Sequence, residues 1–321
     1  MKCIKLLSIC VLLFGFVQFG SSQTLQEIND ALKKGSELKA TGDLDGAIAE
    51  LEKCVDLSTK LGDDAVEFQV VAENALPELY LAKAQKIYAT KDFPEYLKAL
   101  EVTIAKSEKY QNKDIKEKAE KVVPQAYFAI GAAEYQEKKY DDAVKNLSQA
   151  VTLDSNFARA YYILGVIYQT TKDESKMAEN YKLAIEAGEA NNDAATAKNA
   201  KTQWFNFYNV QGTQSFNGQK WDDAISFLTK AAEIDNSNSK TFYALTTCYN
   251  NKKNWDLAIS YAEKTLELIG DGDANDAYYQ LGVAYAGKND KAIACETFRK
   301  VTAGRYLESA KYQIETALKC Q

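Results

Sequence analysis

One stretch of 34 residues, 158–191, constrains the fold of this chain more than any other feature. It reads ARAYYILGVIYQTTKDESKMAENYKLAIEAGEAN and falls into two halves. The first half carries the pair Leu164-Gly165, and the second places Tyr181 and Ala184 on another apolar stripe. Apolar residues three and four positions apart share one face of a helix. The stretch therefore predicts one helix, a turn and a second helix.

The same pattern recurs along the chain. Each unit is numbered so that the Leu-Gly pair takes places 7 and 8, a small residue takes place 20 and an aromatic residue or leucine takes place 24. Seven units then align, at residues 28–61, 77–110, 124–157, 158–191, 205–238, 239–272 and 275–308. A further amphipathic helix over 305–319 is predicted to cover the core face of the last unit, because the end of a stacked array needs such a cover.

The second helix of several units opens with an aspartate. The motif is a leucine or aromatic residue, an aspartate, any residue and an alanine, as in Leu44-Asp45, Tyr140-Asp141, Trp221-Asp222 and Trp255-Asp256. An acidic side chain in the first turn of a helix is stabilised by the helix dipole. The neighbouring pairs Asp141-Asp142 and Asp222-Asp223 are therefore interpreted as structural rather than catalytic.

The period is not uniform. The steps from the second unit to the third and from the fourth to the fifth are 47 residues, and the first step is 49. We interpret each excess as about three and a half added turns at the N-terminal end of the next first helix. Pro77 and Pro124 occupy place 1 of their units, where such a helix is predicted to kink or restart. No Pro-, Gly- or Ser-rich linker divides residues 23–321, so one continuous array is predicted. The alternative is that the extra residues before the second, third and fifth units bend the array or split it into lobes.

These units resemble the tetratricopeptide repeat. Tyr161, Leu164-Gly165 and Tyr168 match its signature at its characteristic period of 34 residues. The resemblance covers the chain from Ile28 to the C-terminus. It implies an all-α, right-handed superhelix of about seven helix-turn-helix repeats with a C-terminal capping helix. In this family the first helices line a concave groove, and places 2, 5, 9 and 12 face it.

The resemblance implies a set of partner-binding residues. Place 5 of the last five units gives Phe128, Tyr162, Asn209, Tyr243 and Tyr279, and place 12 gives Tyr135, Gln169, Phe216 and Asn250. Place 2 gives Gln125, Arg159, Asn206, Lys240 and Asp276. Aromatic anchors with polar edges suit a bound peptide or helix. Tyr and Phe are also core residues at places 4, 11, 17 and 24, so an error of one place would turn these residues into core.

The composition argues against catalysis and against nucleic-acid binding. The formal net charge is -6, which does not suit an anionic polymer. The chain has no histidine, the commonest acid-base catalyst at neutral pH and the commonest metal ligand. We find no Walker loop, GxSxG, GxGxxG, HExxH or CxxC motif. The sequence predicts no catalytic residue, no metal and no cofactor.

The N-terminus predicts a leader peptide over residues 1–22. Lys2 and Lys5 precede an apolar run from Leu6 to Phe19, and Gly20-Ser21-Ser22 supplies small residues for cleavage before Gln23. An uncleaved anchor is the alternative, but the run is shorter than the roughly 20 residues that span a bilayer. We expect an exported protein of the bacterial periplasm or cell envelope, with no membrane insertion after cleavage.

Cysteines beyond the leader give two further expectations. Cys54 is predicted to be a small buried hydrophobe. A bridge among Cys248, Cys295 and Cys320 is possible in an exported chain, and spacing alone does not select the pair.

The sequence thus predicts a non-enzymatic adaptor or scaffold that binds a protein partner in the groove. The alternative is a protein that binds a small ligand, such as a glycan or cell-wall fragment, because aromatic faces also stack on sugars. An enzyme is a third possibility. A clamp for a partner's C-terminal carboxylate is not expected, because place 5 is mostly aromatic and place 9 is never basic in the last five units.

Overall fold

A computed structural model describes the backbone of residues 4–321 and the side chains of residues 22–321. The predicted leader, residues 1–22, therefore lies outside the described side chains except for Ser22. Within the described residues, no helix is long and apolar enough to cross a membrane.

The described residues form helices joined by short connections and contain no strand. Its α-helices are α1 (Ile4–Thr41), α2 (Leu44–Leu61), α3 (Val66–Ala89), α4 (Phe93–Lys109), α5 (Lys113–Gln136), α6 (Tyr140–Leu153), α7 (Ala158–Thr171), α8 (Glu174–Ala190), α9 (Ala194–Asn217), α10 (Trp221–Ile234), α11 (Ser239–Asn251), α12 (Trp255–Ile269), α13 (Asn275–Gly287), α14 (Lys291–Arg299) and α15 (Leu307–Tyr312). A 3-10 turn covers Asp63–Ala65, and a short π-helix covers Gln313–Ala317. The predicted all-α class is confirmed.

The helices form two compact units, Met1–Ile167 and Tyr168–Gln321, whose boundary falls inside α7. In the first unit, α1 pairs with α2, α3 with α4 and α5 with α6, while α3 also contacts α1 and α5. In the second unit, α9 pairs with α10, α11 with α12 and α13 with α14, while α11 also contacts α9 and α13. Each unit is therefore a stack of helical hairpins whose first helices are neighbours, as in a tetratricopeptide solenoid.

Polar caps fix where the helices begin. Eight of the described helices follow an Asp or Asn whose side-chain oxygen accepts a hydrogen bond from the backbone N–H three residues later. These residues are Asp43, Asp92, Asn112, Asp173, Asp193, Asn238, Asn254 and Asp290. Such a bond satisfies a donor that has no partner within the helix. Short turns between capped helices keep the two helices of each hairpin antiparallel.

The glycine at place 8 sets the distance between the two helices of a hairpin. A Cβ atom on Gly35, Gly131 or Gly212 would lie 2.7 Å from the leucine at place 24 of the same unit. In the last unit, Gly282 would meet the Phe298 ring at 2.6 Å. These spacings explain the Leu-Gly pair, because only a residue without a Cβ allows the place 24 side chain to pack against the helix backbone.

The three predicted helix extensions are confirmed. The helices α3, α5 and α9 each contain 24 residues, whereas α7, α11 and α13 contain 13 or 14. The expectation of a restart at proline was wrong, because Pro77 lies inside α3 and Pro124 lies inside α5. Proline removes one backbone donor, but both rings are buried, and the hydrogen bonds on either side continue the helix.

The C-terminal segment covers the last hairpin. Val301 and Ala310 are buried and pack against Phe298 on α14. The helix predicted over 305–319 begins later, at Leu307, and ends in the π-helix. A disulfide joins Cys295 on α14 to Cys320, and Cys248 stays free and buried. Cys54 is fully buried as predicted.

Candidate partner-binding surface

In the first unit, an aromatic pair lies beneath an exposed arginine. The Phe128 ring on α5 and the Phe157 ring, just before α7, have centroids 4.9 Å apart. The Arg159 guanidinium lies 5.2 Å from the Phe128 centroid and 5.7 Å from that of Phe157. Phe128 is half-buried and Arg159 is exposed. We call Phe128, Phe157 and Arg159 the arginine platform. It presents apolar area and a cation, a combination enriched where proteins bind proteins.

Of the other predicted residues of the first unit, Tyr135 and Tyr162 are half-buried and Gln125 is exposed. Tyr135 contacts the Tyr140 ring at a centroid distance of 6.2 Å, at the corner between α5 and α6. Tyr162 lies on α7, one turn beyond the arginine platform. Tyr135 therefore contributes to packing within its own hairpin.

Three predicted place 12 residues of the second unit are also engaged in packing. The Gln169 side-chain carbonyl accepts a 2.8 Å hydrogen bond from the buried Tyr181 hydroxyl. The Phe216 ring lies edge-on to Trp221, with centroids 5.9 Å apart. Asn250 is 7% exposed. The sequence prediction placed all three on the groove, but the structure commits them to contacts within and between repeats.

Asn250 joins the two last repeats. Its Nδ2 donates to the backbone carbonyl and to the Oε1 of Gln280, at 2.9 Å in each case. Its Oδ1 is buried and accepts no hydrogen bond. Asn250 is therefore corrected from a groove residue to an internal link between α11 and α13.

The predicted place 2 and place 5 residues of the second unit lie nearer the surface. Lys240 on α11 is exposed. Asn209 on α9 is half-buried, and its Oδ1 accepts a 3.1 Å hydrogen bond from the Thr241 hydroxyl of α11. Tyr243 on α11 and Tyr279 on α13 are half-buried beneath two residues of the C-terminal segment, Arg305 and Tyr306.

Tyr306 and Arg305 contact both predicted tyrosines. The Tyr306 ring stacks flat on Tyr279, with centroids 4.2 Å apart and an interplanar angle of 2°. The hydroxyls of Tyr306 and Tyr243 are 3.5 Å apart, and Arg305 Nη2 donates to the Tyr243 hydroxyl at 3.1 Å. Burial, reinforced by the hydrogen bond to Tyr306, raises the pKa of Tyr243 to about 12. Tyr243 therefore stays neutral at every physiological pH.

The sequence prediction missed Phe157, Arg305 and Tyr306. Phe157 occupies place 34 of its unit, outside the places that the family assigns to the groove. Arg305 and Tyr306 lie where the predicted last unit and the predicted capping helix overlap, and that overlap was the one available sign that the segment is irregular.

A tyrosine also ties neighbouring hairpins together in each unit, half-buried in the first (Tyr80) and buried in the second (Tyr208). In the first unit, the Tyr80 hydroxyl donates to Glu52 Oε1 at 2.8 Å, and Lys106 Nζ donates to the same oxygen. Burial pushes the pKa of Glu52 up, but the hydrogen bonds from Lys106 and Tyr80 outweigh it, so the pKa lies below its ordinary value. The carboxyl group is thus held ionised, as suits an ion pair.

The second unit repeats this arrangement. The Tyr208 hydroxyl and Lys230 Nζ donate to Glu174 Oε1 at 3.0 and 2.6 Å. The hydrogen bond from Lys230 is the main reason that the pKa of Glu174 is lowered, with Tyr208 adding to it against the effect of burial. Neither glutamate has the raised pKa of a general acid. Among the described residues, no group of three or more acidic or cysteine side chains could hold a metal ion.

A cleft of about 470 Å³ in the second unit lies away from the predicted surface. Its walls come from α8, α9 and α10 and include Trp204, Tyr208, Lys201 and Glu233. None of the predicted partner-binding residues lines it.

Family models match four segments of the chain. A model described as "TPR repeat" matches residues 131–171. Models described as "Tetratricopeptide repeat" match residues 276–303 and residues 32–60 and 158–191. The last of these segments coincides with the stretch that carries the signature. No curated protein sequence matches the chain.

Similar solved structures cover part of the chain. YrrB, titled a TPR protein with an unusual peptide-binding site, is 23% identical, covers 59% of this chain and 89% of its own, and has a TM-score of 0.29. The TPR2AB domain of yeast Sti1, in a complex with pHSP90, is 17% identical. The match covers 77% of this chain and 98% of the Sti1 chain, with a TM-score of 0.30. PilF of Pseudomonas aeruginosa is 18% identical, covers 59% and 81%, and has a TM-score of 0.29. At these values the likeness says nothing of what this chain binds.

Proposed function

Because this chain belongs to the tetratricopeptide repeat family, we propose that it binds a segment of a partner protein on the exposed face of its first helices. Proteins of this family generally mediate protein–protein interactions and are typically not enzymes. The finer proposal is a passive adaptor or scaffold, in which preformed helices present aromatic side chains to the partner.

The arginine platform is the observation that carries this proposal. Phe128 is held by α5 and packs on the buried Phe157, so little conformational entropy is lost when a partner covers the exposed part of its ring. Arg159 is exposed and already lies over both rings, so it can pair with a partner carboxylate or carbonyl without moving far. Aromatic and arginine side chains dominate the energetics of protein interfaces.

The cell envelope is proposed as the site of action, on the strength of the predicted leader at residues 1–22. Fractionation of cells with an antibody to the chain, together with N-terminal sequencing, tests this. A mature N-terminus at Gln23 in the envelope fraction supports export, whereas an intact leader in the cytosol contradicts it. The small-ligand alternative gains no support from the predicted residues, since the cleft of about 470 Å³ lies elsewhere.

Site-specific photo-crosslinking in cells tests the binding proposal. A photo-reactive amino acid is placed at Gln125 or Lys240, which are exposed on first helices, and at Leu153 or Leu257, which are 54% and 39% exposed on second helices. We expect one crosslinked partner from the first-helix positions, reduced at least tenfold by Phe128→Ala with Arg159→Ala. Equal crosslinking from all four positions, or crosslinking from the second helices alone, contradicts the proposal.

A further inference from the structure

The segment between α14 and α15 folds back onto the first helices of the second unit. Asn275, at the start of α13, accepts hydrogen bonds through Oδ1 from the backbone N–H groups of Thr302 and Ala303, at 2.7 and 3.1 Å. Gly304 then turns the chain with a φ of +82°, a conformation that favours glycine. These contacts aim the next two residues, Arg305 and Tyr306, across α13 toward α11.

Arg305 and Tyr306 fill the predicted binding positions of the last two repeats. Arg305 pairs with Asp276, at place 2, through a 2.6 Å contact, and donates to Tyr243, at place 5 of the preceding repeat. Tyr306 stacks on Tyr279, at place 5 of the last repeat. The guanidinium also lies 4.8 Å from the Tyr306 centroid, so the two side chains act as one basic-aromatic group.

Arg305 is not required to cap the last hairpin. Val301 and Ala310 are buried beside Phe298, Tyr306 is half-buried against the same cluster, and Cys295–Cys320 fastens the far end of the segment. Arg305 instead extends one repeat further, to α11. The Arg305 and Asp276 side chains are 62% and 41% exposed, and exposed ion pairs contribute little to stability. Contacts of this kind can exchange with those of another segment.

We propose, resting on the proposed function, that Asp276, Tyr243 and Tyr279 bind a partner segment in which a basic residue adjoins an aromatic one, and that Arg305 and Tyr306 occupy this site in the free protein. Asp276 supplies the carboxylate for the partner's cation, and Tyr279 supplies a flat ring for its aromatic side chain. The Tyr243 hydroxyl accepts a hydrogen bond from the cation. A tethered occupant competes at an effective concentration in the millimolar range, so a partner must displace it.

The test compares a vacated site with an occupied one in the full-length chain. The variant Arg305→Ala/Tyr306→Ala removes the occupant. Lys311→Ala/Tyr312→Ala is the matched control, because it deletes a second basic-aromatic pair whose lysine pairs with Glu308 and whose tyrosine is 58% exposed. The probe is a fluorescein-labelled peptide with the sequence of residues 303–308, AGRYLE, and its counterpart with alanine at the Arg and Tyr positions. Binding is measured by fluorescence polarisation.

We expect AGRYLE to bind the vacated variant at least tenfold more tightly than it binds the wild type or the control variant. Adding Asp276→Asn to the vacated variant should weaken binding at least tenfold, and the alanine counterpart should not bind. Equal affinity for all variants, no binding to a folded vacated variant, or indifference to Asp276→Asn overturns the inference.

Circular dichroism and thermal unfolding establish that the vacated variant is folded. If the double variant is not folded, Arg305→Ala alone, which removes an exposed side chain, takes its place. The affinity of the AGRYLE peptide for this variant is then compared with that for the wild type. The peptide assay does not depend on the natural partner. Crosslinking from Gln125 that persists while the peptide fails to bind would remove this inference and leave the proposed function standing.

Discussion

Gly131 illustrates at the residue scale how the repeat signature encodes packing. An added Cβ would lie 2.7 Å from Leu147 Cγ and 3.1 Å from two backbone atoms, the Ala143 carbonyl oxygen and the Leu147 nitrogen. The Leu-Gly pair was predictable from recurrence, but its role was not, because the contact joins residues 16 positions apart on different helices.

Substitution Gly131→Ala is expected to destabilise the protein by about 1–2 kcal/mol. Overpacking of a tight core costs about 1–3 kcal/mol, and alanine's better helix propensity returns up to about 1 kcal/mol. Urea unfolding followed by circular dichroism measures the loss. Gly218→Ala is the control. Gly218 has a φ of -81°, and a Cβ atom added there would lie no closer than 3.4 Å to another atom, an ordinary van der Waals contact. A Gly131→Ala protein as stable as the wild type would contradict the close-approach explanation.

The place 12 residues mark the limit of sequence prediction for the binding surface. Arg159 and Lys240, chosen by transfer of family places, are exposed, and their role in binding stays a prediction. Such a transfer could not tell an amide side chain that faces the groove from one that is buried between repeats. Only the contact with Gln280, 30 residues away, identifies Asn250 as internal. The aromatic residues at the corners, Tyr140 and Trp221, similarly draw Tyr135 and Phe216 into packing.

Removal of the Asn250 side chain is therefore expected to affect stability rather than binding. Asn250→Ala removes the donor to the Oε1 of Gln280, and an unsatisfied buried group costs about 1–3 kcal/mol. The exposed Lys240→Ala should change stability by less than about 0.5 kcal/mol. Unfolding midpoints in urea compare the two variants. If Asn250→Ala kept its stability but lost partner crosslinking, Asn250 would be a partner-binding residue after all.

At the scale of elements, the extra residues between units predicted the long helices, whereas the prolines wrongly predicted that these helices restart. Thirteen to fifteen extra residues with helical periodicity have little alternative to an added length of helix, and α3, α5 and α9 each contain 24 residues. Proline opposes a helix locally, whereas burial of Pro77 and Pro124 against neighbouring helices favours continuity. The C-terminal segment was least predictable, since its fold depends on the Cys295–Cys320 pairing and on contacts with α11.

The disulfide should contribute measurably to the stability of the second unit. Its cysteines are 25 residues apart, and closing a loop of that size in the unfolded chain is worth up to about 3–4 kcal/mol. We expect a reducing agent to lower the urea midpoint of the wild type. Cys320→Ser should start at the lower midpoint and be insensitive to reductant, because it lacks the Cys295–Cys320 bond and Cys54 and Cys248 are already free thiols. A wild-type midpoint that reductant does not move would contradict this contribution.

At the scale of the whole molecule, periodicity predicted the stacking of neighbours but not the grouping of repeats. The signature describes how each helix packs on the next, and stability in repeat proteins is largely a sum of such neighbour terms. The boundary between the two compact units falls inside α7, within the segment that best matches the signature. No composition change marks it, so no sequence pattern could have located it.

Tyrosines withdrawn from solvent in both units, the half-buried Tyr80 and the buried Tyr208, give the molecule a common response to alkali. Burial is the main cause that raises the pKa of Tyr208 to about 12, with the hydrogen bond to Glu174 adding to it. Burial and the hydrogen bond to Glu52 likewise raise the pKa of Tyr80, in the other unit. In the unfolded chain these hydroxyls titrate near an ordinary value of about 10.

Stability should therefore fall as the pH rises from about 10 through about 12, because the unfolded chain releases protons that the folded chain retains. Below pH 10 both states are protonated and this contribution is fully present. Urea midpoints measured from pH 8.5 to 12 give the slope. Tyr208→Phe should flatten it, since phenylalanine cannot ionise, whereas Tyr312→Phe, at a 58% exposed position, should leave it unchanged. Equal slopes in the wild type and Tyr208→Phe would mean that Tyr208 ionises as freely in the folded protein as in the unfolded chain.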